Sequence, residues 1–136
     1  MNHPRQTIGV VDDDEAVLKA LGRLLRACGY EVRAFASAQE FLDQDAEIDG
    51  RLDCLVVDVH MPGRSGLELK ADLDVAGRAV PVVLVTGAAD AKLKARAIAD
   101  GVVALLQKPF TEVELLRAIE LAFARRAPRS EQGTST

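Results

Sequence analysis

The chain has 136 residues, 49% of them hydrophobic and 28% charged, which is typical of one globular domain. Its 21 acidic residues outnumber the 17 basic ones, and a net charge of −4 argues against direct nucleic-acid binding. The two cysteines, Cys28 and Cys54, favour a reducing cytoplasmic setting, with both thiols acting as small apolar residues. No signal peptide and no apolar run of membrane-spanning length is present, so we expect neither export nor membrane insertion.

Five short apolar runs predict β-strands, and segments of helical periodicity separate them. The runs cover residues 7–11, 31–35, 53–57, 81–85 and 102–107. Three are continuous Val, Ile and Leu stretches, typical of strands buried on both faces, whereas the second alternates like an edge strand. Short connections of this kind require parallel strands with right-handed crossovers. The sequence therefore predicts an α/β fold, with five parallel strands and five helices covering both faces of the sheet.

Capping residues predict where the helices begin and end. Asp14 is placed to cap the first helix, and Gly29 is placed to end it. Three later starts have capping-box spacing, namely Ser37 with Glu40, Ser65 with Glu68 and Thr111 with Glu114. The last helix is predicted to bury one side, formed by Val113, Leu116, Ile119 and Phe123.

Polar residues follow four of the five predicted strands. Asp12 and Asp13 follow the first strand, Asp58 the third, Thr86 the fourth and Lys108 the fifth. Because ligands of such sheets bind outside the carboxyl ends of the strands, these side chains should share one edge. Each aspartate alone would be read as a helix cap or a turn residue. Their joint occurrence with the threonine and the lysine favours a common site.

Three carboxylates at one sheet edge need a proton or a cation to offset their repulsion. Lys108 can balance only one charge, and Mg²⁺ suits an all-oxygen site. A carboxylate can also attack phosphorus and form an aspartyl phosphate, whose equatorial oxygens then need neutralisation. Asp58 is the best candidate nucleophile because it stands alone at a strand end. His60 could be taken for a catalytic base, but a loop side chain beside the site is the simpler interpretation, since a carboxylate needs no deprotonation.

The chain resembles the receiver domain of two-component response regulators, the CheY-like family. The resemblance rests on four pieces in order, Val10-Val11-Asp12-Asp13-Asp14, Asp58 through Gly66, Val85-Thr86-Gly87 and Lys108-Pro109-Phe110. It covers about residues 7 to 124. Taken together the pieces are highly specific, whereas a pair of aspartates alone would be weak.

The resemblance implies a flavodoxin-like fold with strand order 2-1-3-4-5. It implies Asp58 as the phosphoacceptor, with Asp12 and Asp13 as Mg²⁺ acids and Thr86 and Lys108 as phosphoryl contacts. It further implies a backbone carbonyl ligand to Mg²⁺ from His60 and a cis Lys108–Pro109 bond. The phosphoryl donor would be a histidine kinase or a phosphotransfer protein, and the protein would signal to a partner by conformational change rather than act as an enzyme.

Two departures from the family pattern bear on output. The family usually has Tyr or Phe three residues before the lysine, where this chain has Leu105, so coupling would be left to Thr86 and the loop after it. The segment from Gly29 to Leu42 resembles receivers that precede a LuxR-type helix-turn-helix half, and none follows here. We expect a receiver domain over residues 1–126 and a mobile tail over 127–136, with output through a partner.

Three alternatives stay open. A Mg²⁺-dependent phosphohydrolase with an aspartyl nucleophile is one, although such enzymes commonly carry an acid where this chain has His60. A flavin-binding module is another, although three aspartates after the first strand would repel the cofactor phosphate. The chain could also be the receiver fragment of a DNA-binding response regulator. The fourth helix, fifth strand and fifth helix, with Lys92 and Arg96, are expected to form a dimer or partner surface.

Overall fold

The computed structural model describes residues 5–44 and 52–125, and strands alternate with helices throughout this part of the chain. The strands are β1 (Thr7–Val11), β2 (Glu31–Phe35), β3 (Cys54–Asp58), β4 (Val82–Thr86) and β5 (Ala104–Gln107). The helices are α1 (Glu15–Ala27), α2 (Ala38–Leu42), α3 (Gly66–Val75), α4 (Ala91–Ala99) and α5 (Glu112–Arg125). Within the described ranges, no helix combines the length and the apolarity that crossing a bilayer would need.

All strand pairs are parallel, and the sheet order is β2-β1-β3-β4-β5. The predicted flavodoxin-like order is therefore confirmed, and so is β2 as an edge strand. Strands β1, β3 and β4 are buried along their whole length, as their continuous apolar runs predicted. This order makes β1 and β3 neighbours, so their carboxyl ends lie side by side at the same edge of the sheet.

The sheet separates two apolar cores. On one face it packs against α2, α3 and α4, and Phe41, Leu73 and Ala97 are buried there. On the other face it packs against α1 and α5, with Leu25 and Ile119 fully buried. Covering both faces in this way buries the three central strands β1, β3 and β4.

The predicted capping residues begin their helices. The Asp14 carboxylate accepts hydrogen bonds from two main-chain N–H groups in the first turn of α1. Ser65 and Glu68 form a complete capping box at the start of α3, and Thr111 and Glu114 do the same before α5. Gly29 follows α1 with a φ of 97°, a conformation that side chains disfavour and that ends the helix as predicted.

Several predicted details were wrong. Strands β3 and β4 begin and end one residue later than the apolar runs suggested, so Asp58 and Thr86 are the last residues of their strands. In α5, Ile119 is buried as predicted and Leu116 and Phe123 are partly buried, but Val113 is 60% exposed, and the helix also buries Leu115, Ala118 and Ala122. Cys54 is buried as expected, but Cys28 lies at the exposed end of α1.

Candidate functional site

Three aspartates meet where β1 and β3 end. Asp12 directly follows β1 and Asp58 is the last residue of β3, and both side chains are buried. Asp13 is exposed and lies beside them. Each residue offers a carboxylate oxygen, and these oxygens all lie within 4.8 Å of one another. The structure thus brings together the three acids that the sequence placed at this edge.

Lys108 lies directly after β5 and reaches toward the same cluster. Its ammonium nitrogen is 3.4 Å from Oδ1 of Asp58 and 3.8 Å from Oδ2 of Asp12. The Lys108 side chain is 35% exposed, so its charge remains partly hydrated, whereas the two carboxylates it approaches are nearly buried. One ammonium facing three carboxylates leaves the cluster with an excess of negative charge.

Burial makes that negative charge unfavourable. It raises the pKa of Asp58 above its ordinary value, and the attraction of Lys108 only partly opposes this rise. The pKa of Asp12 is also raised, chiefly by burial, although a hydrogen bond from the Asp14 N–H opposes it. Both carboxylates therefore gain more from a nearby cation than a hydrated carboxylate would.

Main-chain contacts fix the positions of the acids. The N–H of Asp14 donates to Oδ1 of Asp12 over 2.8 Å, so the residue that caps α1 also orients an acid of the site. At Gly66, which begins α3, an added Cβ would lie only 2.7 Å from the main-chain oxygen of Asp58. Helix α3 thus begins against the end of β3, a role for Gly66 that the sequence pattern did not predict. A glycine directly after a capping serine, in the segment that follows Asp58, was the available signal.

Thr86 and Lys108 are linked through the main chain, since the N–H of Lys108 donates to the oxygen of Thr86 over 2.7 Å. The Thr86 side chain is fully buried. Its hydroxyl donates to the carbonyl of Ala88 over 3.3 Å and accepts from the Ala88 N–H over 3.1 Å. The hydroxyl therefore holds the start of the loop between β4 and α4. The Lys108–Pro109 peptide bond is cis, as the resemblance implied.

Two other positions that the sequence singled out are His60 and Leu105. His60 is exposed in the loop after β3, consistent with a loop side chain rather than a buried base. Leu105 is partly buried in β5 and packs against the core shared with α3 and α4. Its register partner in β4 is Leu84, two residues before Thr86, so an apolar contact occupies this part of the sheet.

The donor set fits a hard divalent cation. All three acids offer oxygen, the atom that Mg²⁺ prefers, and Mg²⁺ usually needs only one or two carboxylates besides water. The partly solvated position, with Asp13 exposed and Asp12 and Asp58 buried, leaves room for such water ligands. The excess negative charge on the cluster is also of the sign that a cation would offset.

The chain matches the family model of the response regulator receiver domain over residues 8–120. Among curated relatives, it is 37% identical over 132 residues to the response regulator protein TmoT of Ectopseudomonas mendocina, covering 97% of this chain and 59% of that protein. It is 40% identical over 123 residues to the response regulator protein TodT of Pseudomonas putida, covering 90% and 53%. The chain thus spans little more than half the length of these relatives.

Solved structures show the same relationship. The response regulator StyR has a TM-score of 0.84 and 38% identity, with 97% of this chain and 66% of that chain covered. The FixJ-N structure has a TM-score of 0.80 and 30% identity, with 93% of this chain and 99% of that chain covered. The match of the family model to most of the chain agrees with the strand order and with the acidic edge. The chain belongs to the receiver domain family of two-component response regulators.

Proposed function

We propose that Asp58 accepts a phosphoryl group from the phosphohistidine of a histidine kinase or of a phosphotransfer protein. The observation that carries this proposal is the position of the Asp58 carboxylate, which ends β3 within an acidic cluster and lies 3.4 Å from the Lys108 ammonium. Membership of the receiver family supports the same role. Asp58 differs from Asp12 and Asp13 in being part of a strand, which holds its main chain in place during transfer.

In the proposed transfer, a carboxylate oxygen of Asp58 attacks the phosphorus of the donor. An O–P bond forms as the P–N bond to the imidazole breaks, and the electron pair of that bond stays on the departing nitrogen. The donor leaves as imidazole after taking up a proton from water. Asp58 needs no general base because an ionised carboxylate carries no proton to remove, and His60 accordingly has no proton-transfer role.

The site is proposed to act with Mg²⁺ held by the carboxylates of Asp12, Asp13 and Asp58 and by the main-chain carbonyl of His60. Receiver domains bind Mg²⁺ at an acidic pocket, and this chain has an aspartate cluster at the corresponding sheet edge. When bound, the ion would offset negative charge on the phosphoryl oxygens. The acids would hold the ion from positions fixed by β1, β3 and the Asp14 N–H.

Lys108 and Thr86 are proposed to contact the transferred phosphoryl group. Lys108 already lies against Asp58, so its ammonium would act as a point charge on a second oxygen. The Thr86 hydroxyl would donate to a third oxygen after leaving the Ala88 carbonyl. Three different groups would then neutralise the three equatorial oxygens.

Intact mass after incubation with Mg²⁺ and a small phosphodonor such as acetyl phosphate tests the assignment. We expect the mass of the chain to rise by one phosphoryl group and Asp58→Asn to remove that gain. Asp53→Asn is the matched control, because Asp53 directly precedes the opposite end of the same strand and should leave phosphorylation intact. Full incorporation into Asp58→Asn would contradict the proposal.

The chemistry is proposed to be limited to gain and loss of the chain's own phosphoryl group, without turnover of a separate substrate. Several relatives carry the name transcriptional regulatory protein, including FixJ of Azorhizobium caulinodans, of which this chain spans 58%. A second candidate follows, namely that the chain is the receiver part of a DNA-binding response regulator. Steady release of phosphate from a small phosphate ester would favour the phosphohydrolase alternative instead.

We propose α4, β5 and α5 as the surface that passes the signal to a second copy or to an output partner. Lys92 and Arg96 are exposed on α4, and Ile98 on the same helix is 78% exposed. Reversing both charges should weaken association that depends on phosphorylation, measured by sedimentation of the phosphorylated chain. Unchanged association would contradict this surface.

We propose residues 1–126 as the receiver domain and 127–136 as a tail outside it. The tail and residue 126 lie outside the described residues. The cytoplasm is the proposed compartment, because phosphoryl donors of this family act on receivers there.

A further inference from the structure

The outer edge of β2 presents a short row of main-chain groups. The N–H of Glu31 donates to Gln6 over 3.0 Å and the carbonyl of Phe35 accepts from Asp12 over 3.1 Å, so both residues direct these groups toward β1. Because successive residues of a strand alternate, Val32 and Ala34 direct their N–H and C=O groups away from the sheet. Within the described residues β2 pairs with β1 alone.

Among the residues that the structure describes, this edge is unpaired, and it carries two side chains of opposite charge. An open groove of about 370 Å³ runs along it and is lined by the five residues of β2. Glu31 and Arg33 are exposed and, being two residues apart, lie on the same face of the sheet. Val32 lies between them on the opposite face, where it packs against the core under α1 and α5.

We propose that a second copy of this chain pairs with this edge, β2 against β2 in antiparallel orientation about Val32. In that register, Glu31 of each copy faces the partner's Arg33, which gives two cross-strand pairs of opposite charge. The neighbouring symmetric register, centred on Arg33, would place Arg33 opposite the partner's Arg33 and is disfavoured by like charge. The charge pattern of β2 therefore selects one register.

The main-chain groups agree with the same register. Val32 exchanges both of its hydrogen bonds with the partner's Val32, since both residues face outward. The N–H of Ala34 can donate to the carbonyl of the partner's Tyr30. The N–H of Tyr30 is already bound to the carbonyl of Leu25 over 3.1 Å, so the ladder ends there. Four main-chain hydrogen bonds result, which is a short ladder.

The arrangement leaves the phosphorylation site free. Antiparallel pairing points the carboxyl ends of the two sheets in opposite directions, so each Asp58 stays open to a phosphoryl donor. The contact also lies at the edge of the sheet opposite β5, away from the proposed output surface. Because a four-bond ladder buries little area, the pairing should be weak.

Sedimentation equilibrium of the full chain up to millimolar concentration tests the proposal. Glu31→Arg puts an arginine opposite the partner's Arg33, and Arg33→Glu puts a glutamate opposite the partner's Glu31. Each variant alone should therefore associate at least about tenfold more weakly than the wild type. An equimolar mixture of the two variants restores pairs of opposite charge and should associate like the wild type. Lys19→Glu, a charge-matched reversal on α1 at the other face of the sheet, should leave association unchanged.

Three results would overturn the pairing. These are a wild type that stays monomeric throughout, single variants that associate as the wild type does, and a mixture that fails to recover. Loss of association in Lys19→Glu alone would place the contact on α1 instead. Phosphorylation of Arg33→Glu, measured by intact mass, should equal that of the wild type, so failure of the pairing and failure of phosphoryl transfer are distinguishable.

Discussion

The two ends of β3 carry the same residue type in opposite circumstances. Before the strand, the Asp53 carboxylate accepts the N–H of Thr7 over 2.9 Å, and the Asp53 N–H donates to the Thr7 carbonyl over 2.8 Å. At the other end, the Asp58 carboxylate lies among two further carboxylates and beside one ammonium. Asp53 links β3 to β1 by hydrogen bonds, whereas Asp58 adds a negative charge that Lys108 only partly offsets.

The comparison shows how a strand can carry the buried charge of Asp58 at one end and still keep its position in the sheet. Hydrogen bonds at the amino end and five buried residues fix the strand, so the carboxyl end can carry a charge that burial disfavours. The amino end should therefore behave as a stability element and the carboxyl end as a binding element. The predictions below test this contrast, beginning with the largest expected effect.

Gly66→Ala should disturb the carboxyl end most, because its Cβ would meet the main-chain oxygen of Asp58 at 2.7 Å. A clash with main chain cannot be relieved by rotating a side chain, so we expect a loss of about 2 to 3 kcal/mol in the free energy of unfolding. Gly87→Ala is the matched control, since nothing lies within 4 Å of its added Cβ. Urea unfolding of both variants gives the comparison, and equal losses would contradict the close contact.

Asp53→Ala should weaken the amino end without affecting the site. The Thr7 N–H would lose its acceptor, at a cost of about 1 to 2 kcal/mol in the free energy of unfolding. Phosphorylation of Asp58 at a temperature where the variant remains folded should match the wild type. A stability equal to that of the wild type would show that the Asp53 carboxylate contributes nothing to the strand.

Mg²⁺ should stabilise the chain through the carboxyl end only. A tenfold excess of ion over its dissociation constant adds about 1.4 kcal/mol to the free energy of unfolding. The rise in Tm on adding Mg²⁺ should be largely lost in Asp12→Asn and retained in Asp53→Asn, as measured by calorimetry. A Mg²⁺ response that survives in Asp12→Asn would argue against the acidic cluster as the binding site.

Without Mg²⁺, Asp58→Asn should stabilise the protein by about 0.5 to 1 kcal/mol at pH 7, the opposite sign to Asp53→Ala. Burial raises the pKa of Asp58 from its ordinary value of 3.8, so the folded state binds a proton more tightly than the unfolded state. The wild type loses stability as pH rises from about 3.8 through that raised pKa, because ionisation then opposes folding. The gain in Asp58→Asn should therefore be present at pH 7 and shrink toward pH 4, measured as Tm. A gain of equal size at both values would contradict the charge as its cause.

The fold could be predicted from the sequence because the buried strands are continuous apolar runs and the helix caps follow local rules. The strand ends could not be placed to the residue. Asp58 and Thr86 are polar, yet they continue the parallel ladder opposite Val85 and Gln107. Main-chain hydrogen bonding between strands, rather than side-chain polarity, decides where a strand ends. The pattern of polar and apolar residues does not show where that hydrogen bonding stops.

The site acids could be predicted because chain order placed each at or directly after the end of an apolar run, and the fold then made the strands neighbours. Two features could not be predicted because they depend on distances through space. They are the close approach of Gly66 to Asp58 and the hydrogen bond between Thr86 and Ala88. The buried face of α5 was misjudged for a different reason. Its inward residues include Ala118 and Ala122, whose small side chains carry little weight in a periodicity of large apolar residues.

The Thr86 hydroxyl has one proton, and in this structure that proton is given to the Ala88 carbonyl. A phosphoryl oxygen on Asp58 would compete for the same proton, so the two bonds exclude each other. Ala88 is exposed, and water can take over its carbonyl, so we expect the exchange to cost little, about 1 kcal/mol. Phosphorylation of Asp58 would thus be coupled, through one hydrogen atom, to the hydrogen bond that holds the loop between β4 and α4.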